Sequence, residues 1–306
     1  MAAILLVMEK VGILFVMIAV GFICTKIGML THKGIAEITS FLLRIVTPCL
    51  IVSSFLSADS GVELPVLGIS VLTAVLAHVL AIVLSLFTFR KTEPDRQKTL
   101  RFAVIFSNTG FMGMPLVQSV VGDSGVVYAS VYIAVFNLFC WTYGYSMMSG
   151  GKRASLKTAL LNPGVIGLVI GVPIYLLGIS LPELVLQPVQ GFAALNTPLA
   201  MVVVGSHIAA IEWKSMFTDW QVYAVSALRL IVAPLLFLGA MLLLRPEYPL
   251  FVGNVIQSAA PVAANAVLFS TQFGRDARLA SKVVTLSTLL SIITLPLFTV
   301  ASEMLI

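Results

Sequence analysis

The sequence predicts an all-α polytopic membrane protein whose ten transmembrane helices form two inverted five-helix repeats, with helices 4 and 9 broken near their middles. Three observations carry that expectation. Of 306 residues, 59% are hydrophobic and only 10% charged, whereas a soluble domain is about one quarter charged, so most of this chain's surface must face lipid. Similar segments recur along the chain at a near-constant offset. Two apolar spans also carry, at matching positions of that repeat, a cluster of residues that weaken a helix.

Hydropathy marks spans at roughly 5–30, 35–57, 65–89, 101–121, 124–148, 157–180, 190–211, 220–244, 249–273 and 279–303. Most have the ~20 residues needed to cross the hydrocarbon core. Backbone groups in lipid must be satisfied internally and no alternating strand pattern is present, so the spans are read as helices. The first, beginning "MAAILLVMEK", has no basic stretch before its apolar run and no evident cleavage site, and is read as a retained helix rather than a signal peptide. Basic residues collect in alternate loops: Lys26 and Lys33; Arg90, Lys91, Arg96, Lys98 and Arg101; Lys152, Arg153 and Lys157; Lys214; and Arg275, Arg278 and Lys282. The opposite loops hold Lys10 and Arg245 with Asp59, Glu63, Asp123 and Glu183. The positive-inside rule therefore expects both termini outside the cytoplasmic (inner) membrane, and it accounts for the net charge of +5 without a nucleic-acid partner. Cys24, Cys49 and Cys140 are widely spaced within apolar segments and have no metal-ligand spacing.

"GFICTKIGML" (21–30) aligns with "GVPIYLLGIS" (171–180), "TPCLIV" (47–52) with "TPLAMV" (197–202), and "GDSGVVYAS" (122–130) with "GRDARLAS" (274–281). The expected division is repeat one at 1–148, a short cytoplasmic linker at 149–156, and repeat two at 157–306. Five helices is an odd number, so the second repeat must be inverted relative to the first, which is a signature of secondary transporters.

"SNTGFMGMP" (107–115) and "SAAPVAANA" (258–266) lie near the middles of spans 4 and 9. Pro115 and Pro261 each remove a backbone donor, and Gly110 and Gly113 permit non-helical turns. Irregular backbone at that depth is tolerated only where it lines a cavity or is buried in protein. Because the repeats are inverted, the two breaks should face each other, and each restarting half-helix should offer a positive N-terminus. Asn108 and Asn265 add amide donors, and Ser107, Thr109 and Ser258 add hydroxyls. That set suits a carboxylate.

At these residues the chain resembles the auxin efflux carrier family, in its bacterial malate and malonate permease-like branch related to the plant PIN auxin transporters. The resemblance runs over essentially the whole chain and is most specific in "SAAPVAANAVLFSTQFGRDARLASKVVTLSTLLSIITLP" (258–296). "LLRIVTPCLIVSSF" (42–55), "FSNTGFMGMPL" (106–116) and "LLNPGVIGLVIG" (160–171) are similar to other family segments. The resemblance implies that helices 4 and 9 cross, that helices 3–5 and 8–10 form a mobile transport domain against a scaffold of helices 1, 2, 6 and 7, and that the protein is a homodimer through the scaffold. It implies a substrate carboxylate at the crossing, beside asparagines that Asn108 and Asn265 match by position. The long middle loop of many plant members is missing from this chain.

Other polar residues are auxiliary candidates. Arg44 and Arg229 sit within spans 2 and 8, where an arginine must face a cavity or a partner; each is either part of an anion site or satisfied otherwise, Arg229 by backbone carbonyls at a break and Arg44 by snorkelling inward. His78, within span 3, could carry a proton or be a hydrogen-bonded core residue, and His207 is expected near the solvated inner end of span 7. Thr47-Pro48 and Asn196-Thr197-Pro198 interrupt helices 2 and 7 symmetrically and are candidates for the scaffold wall of a cavity. No acidic residue falls near the middle of any span, so the carboxylate relay of an ion-coupled antiporter is not visible. The reading is therefore an elevator-type carrier of small organic anions, working by efflux, uniport or exchange and needing no metal or cofactor. Proton- or sodium-coupled dicarboxylate permeation is the alternative, and a membrane-embedded substrate sensor is the rival from another class. An intramembrane enzyme finds no support, since the sequence contains no HExxH, no GxSxG and no pair of mid-span aspartates.

Overall fold

The structure, a computed structural model, describes residues 2–57, 64–151, 163–209 and 219–306. Lys152, Arg153, Lys157, Lys214, Asp59, Glu63 and most of the expected linker lie outside the described residues. In chain order the helices are α1 (Ala2–Lys26), α2 (His32–Phe41), α3 (Thr47–Ser57), α4 (Leu64–Phe87), α5 (Pro94–Ile105), α6 (Met114–Val120), α7 (Asp123–Phe139), α8 (Tyr145–Ser149), α9 (Pro163–Leu176), α10 (Glu183–Ala194), α11 (Asn196–Ala209), α12 (Trp220–Ala227), α13 (Ala233–Leu244), α14 (Tyr248–Ala259), α15 (Asn265–Gln272) and α16 (Ala277–Leu305). Among the described residues no strand forms beyond one isolated antiparallel bridge between Ser107 and Val262.

Among the described residues, six continuous helical runs are long and apolar enough to cross a membrane: His32–Leu56, Pro65–Phe87, Asp123–Ser149, Glu183–Ala209, Trp220–Leu244 and Ala277–Leu305. Gly12–Lys26 and Val165–Leu176 are shorter apolar helices. The stretches read as spans 4 and 9 are outside that set of six because each is interrupted: α5 stops at Ile105, and α14 stops at Ala259.

Among the described residues four π-turns widen the helices, at Leu42–Val46, Thr109–Gly113, Cys140–Gly144 and Leu228–Val232. Three of them are followed two residues later by a proline: Pro48, Pro115 and Pro234. A proline ring clashes with the carbonyl four residues back and supplies no donor to it. A turn closed by i→i−5 bonds moves that carbonyl away and keeps the chain helical. At Leu42–Val46 the widened turn is tied down by Thr47, whose hydroxyl donates to the Leu42 carbonyl at 3.0 Å.

The helices pack in two sets. In one, α1 lies along α11, and α3 packs on α9 and α10. In the other, α7 is surrounded by α4, α14 and the breaks, and α16 by α5, α12, α14 and α15; the sets meet where α7 packs on α3 and α9 and where α16 packs on α1. The α1–α11 seam depends on small residues. Gly21 and Gly205 let the backbones touch, and Thr25 bridges the seam by donating to the Ser206 hydroxyl at 2.7 Å. At the basic end of the second set, Arg96 pairs with Asp219 and with Asp276, the latter at 3.3 Å, and Arg275 pairs with Asp95. These pairs tie the start of α5 to the start of α12 and to the turn before α16.

Candidate functional site

The first break begins where α5 ends. Phe106 turns to an extended conformation, Ser107 forms the bridge, and Asn108 caps the π-turn that leads into α6. The second begins at Ala260, also extended, and passes through Pro261 to Val262 before α15 starts at Asn265. The two breaks satisfy each other. The Asn108 amide donates to the Pro261 carbonyl at 2.6 Å, and the Ala263 amide donates to the Phe106 carbonyl at 2.9 Å. Proline, lacking its own N–H, still offers a carbonyl, and here that carbonyl is the acceptor.

Side chains complete the arrangement. Ser107, Asn108, Thr109 and Ser258 are buried, and the Tyr132 phenol interacts with the side chains of both Ser107 and Ser258. Arg229, in the π-turn between α12 and α13, donates to the carbonyls of Val104 and Ile105 at 3.1 and 3.2 Å and to that of Ser258. On the other side, the Val262 amide donates to the Ser287 hydroxyl of α16 at 3.1 Å. Ser287→Ala would leave a fully buried amide without an acceptor, at a cost of about 1–3 kcal/mol. The expected outcome is a lower thermal midpoint in detergent together with faster hydrogen exchange confined to 260–264.

Asn108 is the residue with a side chain to spare. Its Oδ1 accepts from the Phe111 amide at 3.4 Å, which turns its Nδ2 donors away from the cap. Asn108 borders a cleft of about 30 Å³ together with Phe111, Val204, His207, Ile208, Ala264, Val284, Thr285 and Thr288. That volume holds about one water, so any organic ligand requires α11 or α16 to draw back. Gly110 adjoins open space. Pro115 is buried just after the π-turn, and Pro261 is buried at the bridge.

The remaining candidates fall in different places. Asn265 opens α15, and its Nδ2 donates to the Cys140 sulfur at 3.4 Å. His78 is enclosed by Phe106, Tyr132, Phe136 and Phe139, with ring centroids 5.1 to 6.3 Å away. Its Nδ1 lies 2.7 Å from the Ala74 carbonyl, which fixes that nitrogen as the donor. Arg44 is exposed on the π-turn between α2 and α3, away from the cleft lining. Pro48 packs against Gly167 of α9. Thr197 donates to Gln118 of α6 at 3.1 Å, so the start of α11, with Asn196 and Pro198, touches the half-helix that follows the first break. Asn196 is buried with its Nδ2 unbonded.

Several residues at the site were not singled out from the sequence. Thr285 and Thr288 border the cleft, beside His207, which is exposed as its place near the solvated inner end of span 7 led one to expect. Gln257 is fully buried in the hollow left by Gly113; a Cβ on that glycine would stand 2.9 Å from the Gln257 carboxamide carbon. Asn254, one turn earlier, donates to Thr73 at 3.0 Å. The available signal was polar residues repeating along an otherwise apolar helix: Asn254, Gln257 and Ser258 in one case, Ser287, Thr288 and Ser291 in the other.

Apolar helices of membrane-crossing length, beside interrupted helices whose non-helical backbone is satisfied within the protein, define a multi-pass membrane protein. The family described as "Membrane transport protein", whose members include auxin efflux and malonate-permease-like carriers, matches residues 6–159 and 152–299. The chain belongs to this family, and so is a transporter rather than an enzyme. It is 27% identical over 303 residues to an "Uncharacterized transporter" of Methanothermobacter thermautotrophicus, covering 95% of this chain and 97% of that protein. It is 21% identical over 302 residues to "Uncharacterized transporter MJ1031" of Methanocaldococcus jannaschii, with the same coverage of 95% and 97%. Over 228 residues, 71% of each chain, it is 23% identical to a "Putative malonate transporter" of Rhizobium meliloti.

Proposed function

We propose that the protein is an elevator-type carrier of small organic anions, with a carboxylate bound beside the two breaks. The observation that carries this reading is the meeting of the breaks, where Asn108 borders the cleft and a buried arginine holds the backbone carbonyls. Two half-helices restart there, and the positive ends of their dipoles favour a negative group. The malonate named for the Rhizobium meliloti relative is a small dicarboxylate, and it makes malonate the first substrate to try.

In this reading ten helices cross the inner membrane as inverted repeats with both termini outside. The set around α7 and α16 moves against the set around α1 and α11, and the latter joins two copies into a dimer. Such a division puts the packing of α7 on α3 and α9, and the hydrogen bond of Thr197 to Gln118, on the surface that would slide. The anion moves by uniport or exchange, because an inside-negative potential alone drives a monovalent anion outward by about 2.3 kcal/mol per 100 mV. His78, shut in by aromatic rings and bonded to Ala74, lies outside the proposed path.

The test is uptake of labelled malonate, malate and indole-3-acetate into proteoliposomes with an imposed potential of either sign. Transport of one acid that reverses with the potential is expected. Transport that ignores the potential but follows a pH step would replace uniport by proton coupling. Saturable, specific binding without any transport would favour a sensor.

A further inference from the structure

Each break brings opposite helix ends together. The half-helices that stop there, α5 and α14, end in carbonyls worth about half a negative charge each, and the helical stretches that restart, from Thr109 and from Asn265, begin with amides worth about half a positive charge each. Left alone, these ends would nearly cancel, and the breaks would favour neither sign of ligand. Arg229 removes the balance. Nη1 donates to Val104 and Ile105 in the last turn of α5, and Nη2 donates to Ser258 in the last turn of α14. One side chain thus caps both negative ends. It is 2% exposed, and among the ion pairs of the described residues none involves it. A whole positive charge without an acidic partner is therefore fixed behind the breaks, where the interior screens it weakly.

We propose that Arg229 is the positioning residue that gives the breaks their preference for anions: it occupies the carbonyl ends of α5 and α14 and leaves the amide ends unopposed, without touching the substrate. This deepens the carboxylate-carrier reading and rests on it. A guanidinium suits the task because its planar fork reaches three carbonyls at once, whereas a lysine ammonium carries the same charge on a point.

The experiment compares wild type, Arg229→Lys and Arg229→Gln as purified proteins in proteoliposomes, measuring the KM for labelled malonate. Arg229→Gln keeps a donor and loses the charge; its KM is expected to rise at least about tenfold, while Arg229→Lys stays within about threefold of wild type. A packing role alone would impair the two variants alike, and that outcome, or a wild-type KM in Arg229→Gln, overturns the proposal. Should Arg229→Gln not fold, Arg229→Lys decides: a tenfold or greater rise in KM in the folded lysine variant overturns it. Hydrogen exchange supplies a readout that needs no substrate. In the folded variants, amides at 104–109 and at 258–263 should both exchange faster than in wild type, and acceleration confined to 228–232 removes the shared cap. If wild-type vesicles move no malonate, the carrier reading fails by itself and the exchange result still judges the cap.

Discussion

Asn108→Asp is expected to abolish malonate transport while leaving the protein folded. The cap at the first break needs an acceptor for the Phe111 amide, and a carboxylate accepts as well as the Asn108 carbonyl does. What changes is the other end of the side chain, where two N–H donors become a second acceptor and a negative charge arrives beside the cleft that residue 108 borders. Two like charges about 4 Å apart repel by about 4 kcal/mol at an effective dielectric near 20, which is roughly a thousandfold in affinity. Uptake should fall by about a hundredfold or more. Asn108→Ala, which removes donor and cap without adding charge, should cost about tenfold. An aspartate variant with an unchanged KM for malonate would place the anion elsewhere and remove Asn108 from the site.

The second large effect concerns packing. A Cβ at position 205 would stand 2.7 Å from the Phe22 amide nitrogen and closer still to the Ile18 carbonyl oxygen. These are backbone atoms of α1, so no side chain can rotate away, and the helices must separate along their whole seam. Gly205→Val should therefore cost about 3 kcal/mol or more, the upper end for overpacking, and should also break the Thr25–Ser206 hydrogen bond. Gly21→Val meets α11 in the same way, 2.7 Å from the Val202 Cα. Gly239 is the internal control: nothing lies within 4 Å of the space its Cβ would take, and Gly239→Ala should be neutral or slightly stabilising because glycine weakens a helix interior by about 0.5–1 kcal/mol. Thermal unfolding of the four proteins in detergent checks the series. A Gly205→Val protein as stable as Gly239→Ala would show that α1 and α11 do not touch there.

The parts of this molecule that the sequence makes legible are those where a residue's own backbone chemistry acts locally. Prolines 48, 115 and 234 remove donors wherever they sit, and π-turns appear around the carbonyls they would strike. Gly110, Gly113, Pro115 and Pro261 mark irregular backbone for the same reason, and basic residues mark loops. The site's supporting bonds were not legible. Arg229 binds Val104, Ile105 and Ser258 through their carbonyls, which every residue has, so no residue identity announces the partner. Asn265 looked like a donor for a ligand, yet its amide reaches Cys140, a thiol 125 positions away whose spacing carried no signal. His207 could be located along its helix from the sequence, but its place beside the cleft depends on where α11 lies relative to α16.

By itself, the sequence determined a helical membrane chain, with its irregular backbone confined to points where proline and glycine leave the helix unsatisfied, because hydrogen-bond loss in an apolar medium is a local cost that each residue type fixes in advance. The tertiary structure alone decided that the two breaks satisfy each other, that a single arginine closes the ends of two half-helices, and that Gly113 leaves its space to Gln257. Those are contacts between segments from 29 to more than a hundred residues apart, made by backbone atoms and by empty space, and neither has a letter in the sequence.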